Sequence, residues 1–171
     1  MNGSVAIRLT VVLAVCGALA WFWLSPSTVA DDSSGFRIDF NQELGQRSEA
    51  DLLTGLSGIT LDCSDLVNSA LGVRVCRGSP ELYIDLPLED VAFYLNGADR
   101  LQAIVMLFDE AFESSYRHFL FATYTPAGSE HESFWRTADG VLAIGPGPTG
   151  TPMKTLSYQS EDLVRRRALT Q

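Results

Sequence analysis

Cationic charge is scarce in this sequence: Lys and Arg together number 12 against 21 Asp and Glu, giving a net charge of −9, and Lys154 is the sole lysine. Phosphate recognition needs a cationic patch, so this balance argues against nucleic-acid partners. Metal-ligating residues are few as well. Histidine occurs only as His118 and His131, neither near a cysteine nor in a His-Glu-x-x-His arrangement, so no metal site is expected. Cysteine is limited to Cys16, Cys63 and Cys76, and the absence of a Cys-x-x-Cys pair disfavours a thioredoxin-like redox centre. Internal repeats are missing, and 46% hydrophobic residues with 14 Gly and 7 Pro exclude disordered, collagen-like and multi-span membrane classes. A length of 171 residues then leaves one globular domain with a short appendage.

The appendage is N-terminal. Leu9 to Leu24 carry no charge, with Arg8 before them and Asp31-Asp32 after a short polar stretch. At 1.5 Å per residue this segment spans about 24 Å, or about 30 Å if extended back to Val5 past a snorkelling Arg8. Two fates fit that length. Thr28-Val29-Ala30 places small residues where an export peptidase cuts, whereas Trp21-Phe22-Trp23 suits the interface of a retained anchor. Residues 1–30 are therefore read as a signal peptide or a single-pass anchor, the membrane being a partner through residues 9–24 if they are uncleaved. Arg8 on the N-terminal side puts residues 31 onward outside the cytoplasm, a periplasmic or other extracytoplasmic location, with the N-terminus inside if the segment is kept as an inner-membrane anchor. A bulky Val15 before Cys16 argues against lipid attachment there, so Cys16 reads as a small hydrophobe.

Without residues 1–30, Cys63 and Cys76 remain in an oxidising compartment and are expected to form a disulfide. Closing a loop of roughly 14 residues is worth about 3 kcal/mol in the chain-entropy account.

The remaining pattern predicts an α+β domain over residues 36–168, an antiparallel sheet of four to six strands with one main helix packed on a face. Phe36-Arg37-Ile38-Asp39-Phe40 alternates as a half-buried strand does, and Ser48 with Asp51 marks a helix start. Strand-like pieces follow at 59–61, 73–75 and 81–86, the last ended by Pro87. Asn96-Gly97 between Val91–Leu95 and Leu101–Phe108 is a hairpin signal, and the second of these runs, apolar at both parities but for Gln102, reads as a central strand covered on both faces. Phe112, Tyr116, Phe119, Leu120 and Thr123 then recur at helical spacing over 109–124, with Asp109 placed to cap and Glu113–Arg117 an i,i+4 pair. A second hairpin is expected around Asp139-Gly140, a last strand from Met153 to Tyr158, and a short helix from Glu161 to Arg167. A domain of about 140 residues buries nearly 70% of its unfolded surface, so no cofactor is required for folding.

Candidate chemistry is sparse. Gly145-Pro-Gly-Pro-Thr-Gly150 lacks the Lys-Ser/Thr of a phosphate-binding loop, and its prolines remove amides that would cradle phosphate. His118 could serve as a base only if a nucleophile and an orienting acid converged on it, and no Gly-x-Ser-x-Gly elbow is present. His131 between two glutamates reads as a polar loop. Asp109, Glu110 and Glu113 complement a helix dipole without needing a catalytic role. No catalytic residues are assigned. Phe134 and Trp135 point to opposite sides of a strand, so one faces a covering layer and the other either a helix or solvent. Burial of Trp135 beneath a helix is the commoner outcome, yet with an open outer face it becomes, with His118, a candidate partner contact.

Phe93, Gly97, Leu101, Ile104, Tyr116, Leu120, Tyr124-x-Pro126, Trp135, Asp139-Gly140-x-Leu142 and Leu156-Ser157-Tyr158 resemble the pattern of small exported bacterial proteins of largely uncharacterised function. That resemblance covers about residues 59 to 158. It implies a hairpin, a helix and further strands following a disulfide-bonded N-terminal part. The architecture is also similar to envelope-assembly lipoprotein domains. The preferred expectation is a non-catalytic envelope module that binds another envelope protein. An inhibitor of a basic cell-wall-acting enzyme and a small hydrolase using His118 are the alternatives.

Overall fold

The computed structural model describes residues 37–41, 43–56, 58–127 and 133–168. The expected signal or anchor segment, Phe36, Cys16 and His131 lie outside the described residues. Among the described residues no helix is long and apolar enough to cross a membrane.

The core of the architecture is an antiparallel sheet of eight strands, more than the four to six expected. Helix α1 (Glu49–Gly55) precedes β1 (Asp62–Asp65) and β2 (Arg74–Gly78), then β3 (Leu82–Tyr83) and β4 (Leu86–Pro87) form a separate small hairpin. Strands β5 (Asp90–Leu95) and β6 (Leu101–Asp109) lead into a 3-10 turn (Glu110–Phe112) and α2 (Glu113–Thr123). The chain continues through β7 (Thr125–Pro126), β8 (Phe134–Arg136), β9 (Gly140–Pro146), β10 (Met153–Ser160) and α3 (Glu161–Ala168). Strand order is β1-β2-β5-β6-β10-β9-β8-β7. The two-residue β7 raises the count beyond what a scan for alternating runs detects.

Alternation decides which side of the sheet is the core. Ile104, Met106 and Phe108 of β6 face the same way as Val91 and Phe93 of β5 and Leu156 and Tyr158 of β10, through the registers Phe93↔Ile104 and Leu156↔Met106. All seven are buried. Val105 and Leu107 occupy the opposite face and are only half-buried, so β6 is central, as expected, but thoroughly covered on one side alone. Tyr116 and Leu120 of α2 belong to that single core, with the Tyr116 ring stacked on Phe108 at 4.1 Å. Glu113 fixes the start of α2 by pairing with Arg117 at 2.7 Å and with Lys154 of β10 at 3.1 Å, and the two cations hold its carboxyl below the usual range.

Local chemistry explains the ends. Ser48 caps α1 and Asp51 reciprocates, its carboxylate accepting from the Ser48 amide at 2.8 Å. Asp109 accepts from the Ala111 amide at 2.8 Å, but the expected 109–124 helix begins with the 3-10 turn and becomes α-helical only at Glu113. The β5–β6 hairpin forms with a different turn from the one expected. Gly97 does not take the left-handed conformation, which falls to Asp99 at φ 54°, while the Asn96 side chain accepts from the Ala98 and Arg100 amides. Gly140, by contrast, admits no Cβ: one would stand 2.5 Å from the Gln159 carbonyl oxygen.

Two strand expectations fail. Residues 37–39 form no strand, although Ile38 and Phe40 are buried as the alternation implies, because this arm packs its apolar side on the core without a neighbouring strand to pair with. The strand expected at 59–61 begins instead at Asp62, where the ladder to β2 starts.

Cys63 and Cys76 are directly opposed in that ladder and form a disulfide with a Cα separation of 4.0 Å. It staples the edge strand β1 to β2 and closes a short loop. Replacing both cysteines by serine should leave a folded chain that loses about 3 kcal/mol in urea denaturation. An unchanged midpoint would show that the bond adds nothing to the fold.

Candidate functional site

Beside the core, α2 and the β3–β4 hairpin enclose an open groove of about 510 Å³. Ser115, His118, Phe119 and Ala122 of α2 line it, spaced three and four apart so that they share one helix face, and Ile84 and Leu86 supply the opposite wall. The sequence pattern at 81–86 had suggested one strand, but the chain reverses at Ile84-Asp85. Both residues have positive φ, 48° and 63°, as a two-residue hairpin of the I′ kind requires. Neither is the Asn or Gly that makes such turns recognisable.

The hairpin is pinned at its inner side. Tyr83 is fully buried, stands edge-on to Phe119 with 6.1 Å between ring centres, and donates its hydroxyl to the Ile38 carbonyl at 3.3 Å. Tyr116 donates to the Pro87 carbonyl at 2.9 Å. Burial holds both phenols well above their ordinary range, so these hydroxyls remain donors at any physiological pH. Tyr124, against the same aromatic cluster, is pushed up to about 12 by burial and by the charge of Asp39. Fixed walls around an apolar space are what a binding groove needs.

His118 lies exposed in this groove, beside Phe119. Among the described residues no hydrogen bond or ion pair holds its ring, from Ser115 or from any carboxylate, so the orienting acid and activated hydroxyl of a catalytic triad are not assembled there. Trp135 is elsewhere. Its ring is completely buried under α2, with Phe121 edge-on at 5.3 Å, so it offers no surface to a partner. The exposed member of the pair is Phe134, about half accessible, on the far face of the sheet. Sequence reasoning thus named His118 as a candidate partner contact but missed the groove and its Ile84, Leu86 and Phe119 walls, because Ile84, the first turn residue, is not a turn former and Asp85 alone does not announce the reversal.

A second hollow of about 500 Å³ lies between α1 and the ends of β2 and β5. Glu49 and Asp65 both bind the Arg74 guanidinium, which holds its proton more tightly as a result. Asp99 adds a further carboxylate, and Leu53 and Val73 line the hollow about half exposed. A carboxylate oxygen of Glu49 also lies within 4.8 Å of both cysteine sulfurs. This is no metal centre in the oxidised protein, since the sulfurs are bonded to each other and the carboxylate to Arg74.

No protein-family model, curated protein or solved structure matches this chain.

The turn at Ile84 also makes a testable claim about strain. A β-branched residue in the left-handed region costs on the order of 1–3 kcal/mol, whereas Asn and Gly adopt it readily. The double substitution Ile84→Asn with Asp85→Gly should therefore raise stability by about 1 kcal/mol in urea denaturation, net of lost side-chain packing. A loss of stability would mean that the packing of Ile84 outweighs the strain.

Proposed function

We propose that this chain is a non-catalytic module of the bacterial cell envelope that binds another protein in the groove between α2 and the β3–β4 hairpin. The observation that carries the reading is the apolar wall built by Ile84, Leu86 and Phe119, with Ile84 held there in a conformation that costs stability. Ile84 packs its inner side against the core and turns the rest of its side chain to the groove, so the same residue that closes the hairpin also completes the apolar wall. A side chain or short helix of the partner with apolar character fits the space, and His118 at the rim supplies one polar contact. Export through residues 1–30, either cleaved or retained as an anchor, accords with the Cys63–Cys76 disulfide, which is consistent with an oxidising compartment outside the cytoplasm.

One observation favours a second reading. The hollow lined by Glu49, Asp65 and Asp99 has three carboxylates against the single guanidinium of Arg74, a balance suited to a basic partner such as a cell-wall-acting enzyme that the chain would inhibit. The hydrolase reading has no such support, since no carboxylate among the described residues bonds to His118.

Photo-crosslinking in living cells separates these readings. A photoreactive residue at position 118 should yield one adduct of defined mass, and one at position 77, on the far face of the sheet, should not. An adduct at position 53 instead, weakened by added salt, would favour the inhibitor. Adducts at none of these positions would overturn protein binding.

A further inference from the structure

We infer that, once the Cys63–Cys76 bond is reduced, its two thiolates and the Glu49 carboxylate form a binding site for a zinc ion. Three observations carry this. The first is convergence: a carboxylate oxygen of Glu49 and the sulfurs of Cys63 and Cys76 all lie within 4.8 Å of one another. Around a tetrahedral zinc, with bonds of about 2.3 Å to sulfur and about 2.1 Å to oxygen, ligand atoms stand about 3.6–3.8 Å apart, so small side-chain rotations close the set. The second is that the backbone itself keeps the two cysteines together. The Leu66 amide donates to the Val73 carbonyl at 2.7 Å, which makes these two a hydrogen-bonded pair at the end of the β1–β2 ladder. Counting back in that register makes Cys63 and Cys76 a non-hydrogen-bonded pair, the kind whose side chains approach most closely. Strand β2 is tied in turn to β5, from Arg74↔Leu95 to Gly78↔Val91, so the pairing does not depend on the crosslink. The third is that Glu49 is also placed independently of the bond. It opens α1, which Ser48 caps, and its amide donates to Asp99 at 3.2 Å. Its carboxylate is held by Arg74, but Arg74 donates to Asp65 as well, at 2.7 Å, and keeps that partner when Glu49 turns to a metal.

The donor set selects the ion. Two thiolates disfavour Mg²⁺ and Ca²⁺, which take oxygen ligands, and the carboxylate suits Zn²⁺ better than Cu⁺. Three protein donors leave a fourth position for water or an outside ligand. Reduction and binding are separate steps. A dithiol reductant gives two electrons and two protons to the S–S bond and is itself oxidised to a disulfide; Zn²⁺ then displaces the two thiol protons, which pass to solvent. Zinc-bound thiolates are withdrawn from reoxidation, and the metal staples β1 to β2 in place of the bond. The site lies apart from the α2 groove and does not rest on the partner-binding reading.

The test uses the full chain in detergent, carrying Cys16→Ser so that no third thiol competes. It is reduced with a phosphine, freed of the reductant under argon and titrated with Co²⁺ as a spectroscopic stand-in, then with Zn²⁺. One equivalent of Co²⁺ should give a thiolate-to-metal charge-transfer band and the strong visible bands of four-coordinate cobalt, both abolished by Zn²⁺ and absent from the oxidised chain. Glu49→Gln should weaken Zn²⁺ binding at least fivefold. Arg74→Gln, which frees Glu49, should strengthen it several-fold, whereas a Glu49 that merely supports the fold through Arg74 would make both variants bind more weakly. Circular dichroism of the reduced chain should match that of the oxidised one. Absence of the charge-transfer band, loss of the sheet on reduction, a smaller effect of Glu49→Gln, or unchanged or weaker binding in Arg74→Gln would each overturn the inference.

Discussion

One apolar sheet face must be covered, and the rest of the structure follows from how that is done. Strands β5, β6, β9 and β10 present Phe93, Ile104, Met106, Leu142, Leu156 and Tyr158 to the same side. At roughly 1.5–3 kcal/mol for each large apolar side chain, leaving that side wet would cost more than a domain's whole net stability. A single three-turn helix is too narrow to roof eight strands. The cover is therefore composite: α2 lies over Phe108, the 37–47 arm brings Ile38, Phe40 and Leu44, α1 adds Leu52, and the β3–β4 hairpin adds Tyr83.

Composite roofs have seams, and the groove is one of them. Where α2 meets the hairpin, each element uses its inner residues for the core, Tyr116 and Leu120 on one and Tyr83 on the other, and leaves its outer apolar residues facing each other across open space. Ile84 and Asp85 take the left-handed conformation that folds the hairpin back on itself, with Ile84 and Leu86 left on the groove side. The arm is tied into the same roof by polar contacts. The Leu44 amide donates to Asp139 at 3.1 Å, Asp139 also binds the Tyr158 hydroxyl, and the Gly45 amide donates to the Leu101 carbonyl at 2.7 Å. Buried Glu43 is answered by Arg47 four residues later, across a turn.

What could be read from sequence was what depends on period and on near neighbours. The Ser48–Asp51 cap, the Glu113–Arg117 pair, the central place of Leu101–Phe108 and the Cys63–Cys76 bond all rest on spacing or counting. What could not be read depended on tertiary context. Ile38 and Phe40 alternate like a strand, but whether a partner strand lies alongside is settled by the topology. Glu81 to Leu86 also alternates, and nothing in its residue types favours positive φ at Ile84, so the hairpin stayed hidden and the groove with it. Trp135 and Phe134 showed the intermediate case: parity established that they part company, while α2 and its Phe121 decided which of them is buried.

The account turns on the 37–47 arm being a wall of the core and no mere leader to it. Native-state hydrogen exchange tests this directly by comparing the Gly45 and Leu101 amides, which join the arm to β6, with the Ile104 and Leu156 amides in the middle of the sheet. If the arm is integral, all four exchange only through global unfolding, with the same free energy and the same dependence on urea. Exchange of Gly45 and Leu101 by a local opening several kcal/mol cheaper than that of the sheet would contradict the composite roof and, with it, the fixed inner wall of the groove.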